Sequence, residues 1–355
     1  MRAGIVTITN GENYGNRLQN YAVQEALKSM GFQVETIWKT TNVFDIEDPA
    51  YLRKLKLKRF LHYRLTKEES RRLNFHRFNK KYIKRSNWKI EENVPPELGD
   101  SYDYFIAGGD QVWNPYLTYC TEANFLTFAE KDKRVAFAPS IAVANIPEKN
   151  REDFKKWISD FSMLSIREEE GKNLIKELCG REAEVLGDPT LYLKVDQWRK
   201  IEKKVKLPRK NYLLVYFLGD CITEYKDKIV KEAEKRNLEI YWLQSQEHYD
   251  IAPDEFLYLI DHAECVCTDS FHGTVFSIIF QRPFLIFQRK EKFVDMSSRL
   301  RTLFNIFALG SRDGIYKEAN SEFFSDFKQT AKILKEQRKK IEIYLKKIGR
   351  KDAGE

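Results

Sequence analysis

The feature that most constrains the fold of this chain is an alternation of short runs rich in β-branched and aromatic residues with longer amphipathic stretches. Such alternation is typical of parallel β-sheets that carry helices on both faces. The pattern of the first half predicts a first helix at residues 16–30, ended by Gly31 as its C-cap. Predicted strands of this half lie at residues 3–9, 33–38, 102–107, 134–138, 163–166 and 183–186.

The second half repeats the alternation after a break at residues 206–210, which contains Pro208. Its predicted strands lie at 212–218, 238–243, 264–268 and 283–287, and its predicted helices at 224–236, 254–263, 273–281 and 294–307. A last amphipathic helix, at 321–348, is long enough to pack back across the first domain.

Chain length and pattern together favour two domains, since 355 residues exceed one ordinary core. We predict an α/β fold with two Rossmann-like domains facing across a cleft. The domains span residues 1–205 and 206–310, with a helical basic insertion at about 41–98 and a C-terminal helix at 311–355. Ligands of such sheets bind beyond the carboxyl ends of the strands, so the residues there matter most.

The positive charge of the chain is concentrated in one segment. Residues 51–85 contain 14 Lys or Arg against 2 acidic residues, a local net charge of +12, so the formal net charge of +8 leaves −4 for the rest. Helices with a solvated basic face explain this segment. An alternative is contact with an anionic membrane surface, where lipid-linked sugars are displayed. Nucleic acid is not an expected partner, because no nucleic-acid-binding motif accompanies the charge.

The cysteines and apolar runs predict a cytoplasmic protein. No run of eighteen apolar residues occurs, and the N-terminus is unlike a signal peptide. Five scattered cysteines, an odd number, favour reduced thiols. Cys265 and Cys267 fit alternate positions of a strand better than a metal site, since no second ligand pair accompanies them.

The turn between the first predicted strand and helix contains Asn13-Tyr14-Gly15-Asn16-Arg17. Gly15 permits close approach of the backbone, and Asn16 can cap the helix. Free amides at this helix N-terminus, with Arg17 in the first turn, form a potential anion site. The alternative is an ordinary strand-to-helix turn.

A second polar cluster, Gly109-Asp110-Gln111-Val112-Trp113-Asn114, follows the strand at 102–107. Asp110 and Asn114 can hydrogen-bond sugar hydroxyls, and the indole of Trp113 offers an apolar face to a sugar ring. The alternative is a structural turn with Trp113 in the core and Asp110 capping a helix.

A third cluster, Asp269-Ser270-Phe271-His272-Gly273-Thr274, joins the strand at 264–268 to a helix. His272 lies in the first helical turn, where unpaired amides and the helix dipole favour a bound phosphate. An imidazole there can donate to an anion or transfer a proton near neutral pH. The alternative is a purely structural histidine.

Ser165-Ile166-Arg167-Glu168 places a fourth polar group at a strand end, where Arg167 either faces a ligand or pairs with Glu168.

Sequence motifs exclude several enzyme classes. The chain has no G-x-G-x-x-G, no Walker lysine loop and no zinc-binding helix pair, which argues against dehydrogenases and phosphate-loop enzymes.

In this order along the chain, these four segments resemble the polysaccharide pyruvyl transferase family, from about residue 3 to residue 290. The resemblance implies a fold similar to the GT-B glycosyltransferases. It also implies transfer of a pyruvyl group from phosphoenolpyruvate to sugar hydroxyls as a ketal, in cell-surface or exopolysaccharide biosynthesis. The family's important histidine corresponds to His272 and its strand-end arginine to Arg167.

The chemistry implied by the resemblance suits these residues, because phosphoenolpyruvate carries a phosphate and a carboxylate that cations must neutralise. His272 is expected to act as the acid or to steady the departing phosphate. Arg167 is expected to clamp the donor, and Asp110 with Asn114 to orient the acceptor, a saccharide that is free or lipid-linked. No cofactor or metal is expected.

The chain departs from the family at Ser270, where some members have an arginine two residues before the histidine. Arg17 or Arg289 could supply this cation instead. Two other functions fit the same pattern: a glycosyltransferase with a nucleotide-sugar donor, and a non-catalytic carbohydrate-binding relative.

Overall fold

A computed structural model of the chain shows two α/β domains that pack against each other. It describes residues 1–9, 11–40, 45, 47–209, 211–289, 298–309 and 323–349. The strands are β1 (Arg2–Val6), β2 (Gln33–Lys39), β3 (Arg85–Ile90), β4 (Tyr104–Gly108), β5 (Arg134–Phe137), β6 (Ser165–Ile166), β7 (Glu184–Val185), β8 (Tyr212–Tyr216), β9 (Glu239–Trp242), β10 (Cys265–Thr268) and β11 (Phe284–Ile286). The helices are α1 (Tyr14–Ser29), α2 (Pro49–Phe60), α3 (Lys67–Tyr82), α4 (Glu148–Ser159), α5 (Glu169–Cys179), α6 (Val195–Ile201), α7 (Thr223–Arg236), α8 (Pro253–Asp261), α9 (Phe271–Ile279), α10 (Ser298–Phe307) and α11 (Thr330–Leu345).

The N-terminal domain is built on a parallel sheet with strand order β3-β2-β1-β4-β5. A parallel bridge between Val135 and Met163 extends this sheet toward the short parallel pair β6-β7. Helices cover both faces, so the central strands are buried and read as continuous apolar runs. Because every strand is parallel, all their carboxyl ends meet at one edge.

The C-terminal domain has a four-stranded parallel sheet with strand order β11-β10-β8-β9. Helices α7, α8 and α9 connect successive strands, as parallel pairing requires. Parallel sheets with crossover helices in both halves confirm the predicted α/β class.

Helix α1 is the main contact between the two domains. Tyr14, in its first turn, is buried and stacks on Phe256 of α8, with ring centroids 4.6 Å apart and planes 8° apart. Arg71 of α3 donates to the hydroxyl oxygen of Tyr14 at 2.7 Å and to the carbonyl oxygen of Tyr249 at 2.8 Å. These contacts make α1 and α3 one packing layer between the sheets.

The basic segment differs from the helical insertion that its charge pattern suggested, because its end forms an edge strand. Residues Arg85–Ile90 form β3, which pairs with β2 in parallel. Because β3 is an edge strand, few of its side chains are buried. Its polar and charged composition is therefore similar to that of the helical segment before it, and the sequence pattern does not mark it as a strand. Two arginines of the segment also pair with buried carboxylates: Arg77 with Asp254 at 2.8 Å and Arg85 with Glu47 at 2.9 Å.

The starts of helices α1 and α11 differ from prediction. Helix α1 begins at Tyr14, two residues early, and Asn13 rather than Asn16 caps it by accepting a hydrogen bond from the Asn16 amide at 3.2 Å. Helix α11 begins at Thr330 instead of 321, because Phe324 pairs with Phe284 at the edge of the second sheet. Residues 294–297 and 321–322 of the predicted helices lie outside the described residues.

Helix α11 packs on the N-terminal domain. Its Tyr344 hydroxyl donates to the carbonyl oxygen of Ala136 in β5 at 2.7 Å, and Ile341 and Leu345 are buried in the cluster formed with Ala3 of β1. The last helix therefore completes the core of the first domain. No helix in the described ranges is long and apolar enough to cross a membrane.

Candidate functional site

Four polar side chains from distant parts of the chain meet in the cleft between the domains. Asp110, Arg167 and Asp188 follow the carboxyl ends of β4, β6 and β7 in the first domain. His272 is the second residue of α9 in the other domain. All four are at most 6% exposed, so they form a buried polar cluster.

Arg167 is the centre of this cluster, and its guanidinium is poorly satisfied. Its Nη2 lies 3.0 Å from Oδ2 of Asp188, and its Nη1 lies 3.7 Å from Oδ1 of Asp110. None of its three side-chain nitrogens makes a well-oriented hydrogen bond to a described residue. A buried guanidinium in this state is costly unless a ligand supplies acceptors. The arrangement therefore suits an anionic or oxygen-rich ligand.

Asp188 is a site residue that sequence reasoning missed. Its Oδ1 is held by the amide and hydroxyl of Thr190 at 2.9 and 2.6 Å, which leaves Oδ2 facing Arg167 and, at 3.5 Å, Nε2 of His272. Burial alone would raise the pKa of Asp188, but the charge of Arg167 and the contact with His272 lower it well below its usual value. The sequence feature that could have identified Asp188 is the run Gly187-Asp188-Pro189, which directly follows a predicted strand.

His272 is wedged against the first turn of α1. A Cβ on Gly15 would lie only 2.0 Å from its Nδ1, so glycine is required where the imidazole meets the helix. Since Nδ1 faces Gly15, Nε2 is the nitrogen that faces Asp188, and it has no hydrogen-bond partner among the described residues. The structure thus brings together two motifs, around Gly15 and His272, that lie far apart in the sequence.

The backbone at Asp110 is held in an unfavourable conformation. Asp110 has a φ of +58° and Gly109 a φ of +24°, and a Cβ on Gly109 would lie 2.4 Å from the side chain of Gln19. The Asp110 carbonyl oxygen accepts from the Ser140 amide at 2.7 Å, which anchors the turn. Left-handed conformations of non-glycine residues concentrate at functional sites. Here the conformation directs the Asp110 carboxylate toward Arg167.

Arg299 is a second cation that the sequence did not reveal. It lies in α10, is 6% exposed, and burial lowers its pKa to about 10. Both Arg299 and Arg167 face the ring of Phe271, with guanidinium carbons 5.5 and 5.0 Å from its centroid. The side-chain amide of Gln111 lies 2.9 and 3.2 Å from the two terminal nitrogens of Arg299. Phe271 and Gln111 therefore orient the cations of the cleft.

Glu168 does not form the simple pair with Arg167 that sequence allowed. Its Oε1 accepts from the amides of Ile141 and Ala142, both at 2.9 Å. Burial raises the pKa of Glu168, against the effects of these hydrogen bonds and of Arg167. Glu168 thus fixes the loop after β5.

Two predicted roles are corrected by the structure. The indole of Trp113 is fully buried, stacks on Phe125 at 5.0 Å and donates to the carbonyl oxygen of Asn124, so it offers no face to a sugar. The core accommodates the large indole ring and satisfies its N–H donor. The position of Trp113 in the core is the alternative that the sequence left open. Arg17 is also fully buried and donates to carbonyl oxygens of the turn after β1, including those of Ile8 and Gly11. It stabilises the turn and does not join the Arg167 cluster.

The remaining residues before α9 shape the turn that presents His272. Both carboxylate oxygens of Asp269 accept from amides of the loop after β8, at 2.6 and 2.8 Å. Ser270 caps α9 by accepting from the Gly273 amide, and its carbonyl oxygen accepts from the Thr274 hydroxyl. Arg289, a candidate for the family's missing cation, lies 3.3 Å from Asp269. Asn114, after β4, contacts Gln111 at 2.8 Å and so supports the other wall.

One group in the described part of the chain has the spacing of a metal site, and it lies outside the cleft. Ligand atoms of Glu202, Asp261 and His262 come within 4.8 Å of one another. Asp261 already pairs with Arg199 at 2.7 Å and with Arg282 at 3.3 Å. The carboxylate that would bind a cation is therefore engaged by two arginines.

Comparisons with solved structures show the fold. A UDP-N-acetylglucosamine 2-epimerase aligns with 9% identity over 100% of this chain and 97% of its own, with a TM-score of 0.51. The UDP-GlcNAc 2-epimerase from Methanocaldococcus jannaschii aligns with 14% identity over 94% of this chain and 99% of its own, with a TM-score of 0.50. The prediction of two Rossmann-like domains similar to the GT-B fold is confirmed.

Comparisons of sequence identify the family. No curated protein matches the chain significantly. The family model described as "Polysaccharide pyruvyl transferase" matches residues 13–291, which include all four polar segments and the residues of the buried cluster up to His272. The predicted resemblance is confirmed, and the chain belongs to the polysaccharide pyruvyl transferase family.

Proposed function

We propose that this protein transfers a pyruvyl group from phosphoenolpyruvate to two hydroxyls of a saccharide, forming a cyclic ketal in the synthesis of a cell-surface or exported polysaccharide. The observation that carries the proposal is the unsatisfied polar cluster. Arg167, Asp188 and His272 converge with side-chain atoms that lack hydrogen-bond partners among the described residues. Such convergence of titratable groups in a cleft is typical of a reaction site.

Donor binding follows from the cations of the cleft. Arg167 and Arg299 both lie over Phe271 and can receive the phosphate and carboxylate of phosphoenolpyruvate by charge-assisted hydrogen bonds. The 3.7 Å contact between Arg167 and Asp110 is long for a hydrogen bond, so a ligand oxygen can replace it at little cost. The N-terminus of α9 adds a further favourable field for a phosphate.

The reaction requires one proton on the methylene carbon of the donor. His272 delivers it from Nε2, and the adjacent carbon becomes an oxocarbenium-like centre that a sugar hydroxyl attacks with loss of its proton. The carbon–oxygen bond to phosphate then breaks, and phosphate leaves with the electron pair and one proton. The second hydroxyl closes the ketal and returns a proton to the site. The sugar hydroxyls thus lose two protons in total, of which one ends on the new methyl group and the other on phosphate.

The carboxylates have different roles in this scheme. Asp188, 3.5 Å from Nε2 and held ionised by Arg167, stabilises the imidazolium and is a positioning residue. Asp110 faces the same cluster with its carboxylate and orients the acceptor hydroxyls, supported by Asn114 and Gln111. A general acid contributes on the order of 100- to 10,000-fold. His272→Ala is expected to lose turnover by that factor and to remain folded.

The donor is tested by thermal unfolding with phosphoenolpyruvate, UDP and GDP in separate samples. Ligand at one hundred times its dissociation constant adds about 2.7 kcal/mol of stability. We expect a higher Tm with phosphoenolpyruvate alone, lost in Arg167→Lys because a lysine cannot make a fork of hydrogen bonds. The matched control is Arg134→Lys, a buried arginine outside the cleft that contacts the carbonyl oxygens of Thr127 and Ala129. A response to a nucleotide instead would favour a glycosyltransferase with a nucleotide-sugar donor.

We also propose contact with an anionic membrane surface, through a narrower part of the basic segment than residues 51–85. The tip of α2 and the turn after it expose Leu57, Phe60, Leu61 and Tyr63, with Phe60 77% exposed. Six basic residues flank them in the sequence: Arg53, Lys54, Lys56, Lys58, Arg59 and Arg64. Basic and apolar residues together favour the interface of an anionic bilayer.

Flotation with vesicles containing phosphatidylserine tests the membrane contact. Phe60→Ser with Leu61→Ser is expected to abolish flotation, whereas Val230→Ser with Ile343→Ser, exposed apolar residues elsewhere, is the control. Retention of flotation in the first variant, or flotation with neutral vesicles only, contradicts the proposal.

A further inference from the structure

A cavity of about 830 Å³ lies at the carboxyl ends of β2 and β3, apart from the residues of the Arg167 cluster. Its volume is in the range of small-molecule sites. Four threonines, three glutamates and Asn93 contribute to its wall, next to the ring of Phe128. Hydroxyl, carboxylate and amide groups beside an aromatic ring are the groups that hold sugar hydroxyls and the apolar face of a sugar ring.

Lys39 lies at the base of this cavity and has an unusual environment. The residue is 2% exposed, and its Nζ donates to the carbonyl oxygen of Tyr119 and lies 4.0 Å from the centroid of the Tyr119 ring. No carboxylate of the described residues pairs with it, and burial lowers its pKa to about 8. Among those residues the ammonium group contacts only the carbonyl oxygen and the ring face of Tyr119, which leaves one of its three hydrogens without a partner. A buried donor group in a polar cavity is therefore available to a ligand oxygen.

The charge of the wall restricts which ligand fits. Glu91, Glu92 and Glu122 line the cavity together with the single lining cation Lys39, so the wall has a net charge of −2. Lys89, outside the wall, pairs with Glu91 at 2.8 Å, so Glu92 and Glu122 carry most of the repulsion. All three glutamates are exposed at the rim. A carboxylated or phosphorylated sugar would be repelled as it enters, whereas a neutral sugar would not and a protonated amino sugar would be attracted.

The position of the cavity relates it to the cleft. Tyr119 donates through its hydroxyl to the carbonyl oxygen of Thr7, and the Thr9 hydroxyl donates to the carbonyl oxygen of Lys39 at 2.7 Å. The cavity therefore abuts the turn after β1 that leads to Gly15 and His272. Strand β2 is two strands from β4, roughly 10 Å at the usual spacing, so a ligand that reaches both must be longer than one sugar ring.

We propose that this cavity binds non-reacting sugar units of an oligosaccharide acceptor and selects neutral or amino sugars over uronic acids and sugar phosphates. The assignment of the bound sugar as an acceptor rests on the proposed function, but its binding here does not. Carboxylate and amide groups at the rim hold vicinal hydroxyls, and Lys39 donates to an oxygen at the base.

Binding to a printed array of neutral, amino-bearing and uronic-acid-bearing oligosaccharides tests this proposal with the full chain. We expect retention on the first two classes only. Thr118→Trp, which fills the wall from an exposed position, is expected to weaken retention at least tenfold. The matched control is Tyr116→Trp, in the same loop but outside the wall. Lack of retention on every glycan, or equal retention by wild type and Thr118→Trp, overturns the proposal.

A charge-reversed variant tests the selectivity separately. Glu92→Lys with Glu122→Lys changes the net charge of the wall from −2 to +2 and is expected to gain uronic-acid glycans at least tenfold. Glu130→Lys with Glu148→Lys, exposed glutamates outside the wall, is the control. Unchanged selectivity in the first variant refutes the electrostatic argument. The Tm of the same preparations is also measured with phosphoenolpyruvate, which separates the two proposals. Selective glycan retention without a Tm response would support sugar binding in the cavity and contradict phosphoenolpyruvate as the donor.

Discussion

The contact between Gly15 and His272 allows a sharp test of how the two domains form one site. In Gly15→Ala the new Cβ would lie 2.0, 2.4 and 2.6 Å from Nδ1, Cγ and Cε1 of the imidazole. Carbon contacts are favourable at about 3.5 Å, so the ring must move by about 1.5 Å. Displacement of a reacting group by about 1 Å can cost about 100-fold in rate. We therefore expect turnover to fall by about 100-fold.

Stability should change much less, because two effects oppose each other. Overpacking costs about 1–3 kcal/mol, whereas alanine is favoured over glycine inside a helix by about 1 kcal/mol. Gly15 lies in α1 and has no left-handed φ, so the helical gain applies. The net loss in the free energy of unfolding is expected to be about 0–2 kcal/mol, measured by urea denaturation.

A double-mutant cycle separates the clash from the helical gain. In a His272→Ala background the ring is absent, and Gly15→Ala should stabilise the protein by up to about 1 kcal/mol. The difference between the two backgrounds, about 1–3 kcal/mol, is the energy of the clash. An equal effect in both backgrounds, or near-normal turnover of Gly15→Ala, would refute the reasoning.

Three further predictions concern the buried residues Asp188 and Tyr344 and the half-buried Glu202. Asp188→Asn leaves the buried Arg167 guanidinium poorly compensated and should lower the free energy of unfolding by about 3–5 kcal/mol. The pKa of Asp188 is lowered in the folded state, so its carboxylate stabilises the fold at any pH above its unfolded pKa. Urea denaturation should therefore show a constant loss from pH 5 to 8 that shrinks only as pH falls below about 4. Burial, with the nearby charge of Asp261, raises the pKa of Glu202 to about 7, so its ionisation destabilises the fold as pH rises through that value. The free energy of unfolding of Glu202→Gln should equal that of wild type near pH 4 and exceed it by up to about 1 kcal/mol at pH 8. Equal pH profiles of the two proteins would contradict this. Tyr344→Phe removes one of two donors to the carbonyl oxygen of Ala136, which keeps its hydrogen bond from the Ser165 hydroxyl at 2.6 Å. Stability should fall by about 0.5–1.5 kcal/mol in the same assay, and a loss well above that would contradict this reasoning.

Much of the fold could be predicted because burial on both faces of a parallel sheet leaves a local signature. Strands such as β8 are apolar at every position, and the helices between strands show one apolar face. Strand β3 could not be predicted, because its polar edge sequence, Arg85–Ile90, continues the charged composition of α3. The start of α11 was also missed, since the pairing of Phe324 with Phe284 depends on a strand far away in the sequence.

The candidate site was predicted as a set of strand ends and not as a set of contacts. Arg167 and His272 stood out because each is a charged or titratable residue at the end of an apolar strand. Asp188 occupies an equivalent position after β7, but a single aspartate before a proline is also a common turn. Arg299 lies in α10, away from any strand end, and had no local signal.

The alternation of strands and helices, the edge of the sheets where polar residues cluster, and the family all follow from the sequence alone. The tertiary structure was needed to show that Gly15 makes room for His272 and that Asp188 faces Arg167. It also shows that Trp113 packs in the core and that Arg17 holds the turn after β1 by hydrogen bonds. The physical reason is that secondary structure follows from periodicity within a few residues. A buried charge, in contrast, finds its partner through the docking of two domains, and neighbouring residues in the chain carry no record of which distant group that docking brings within hydrogen-bond distance.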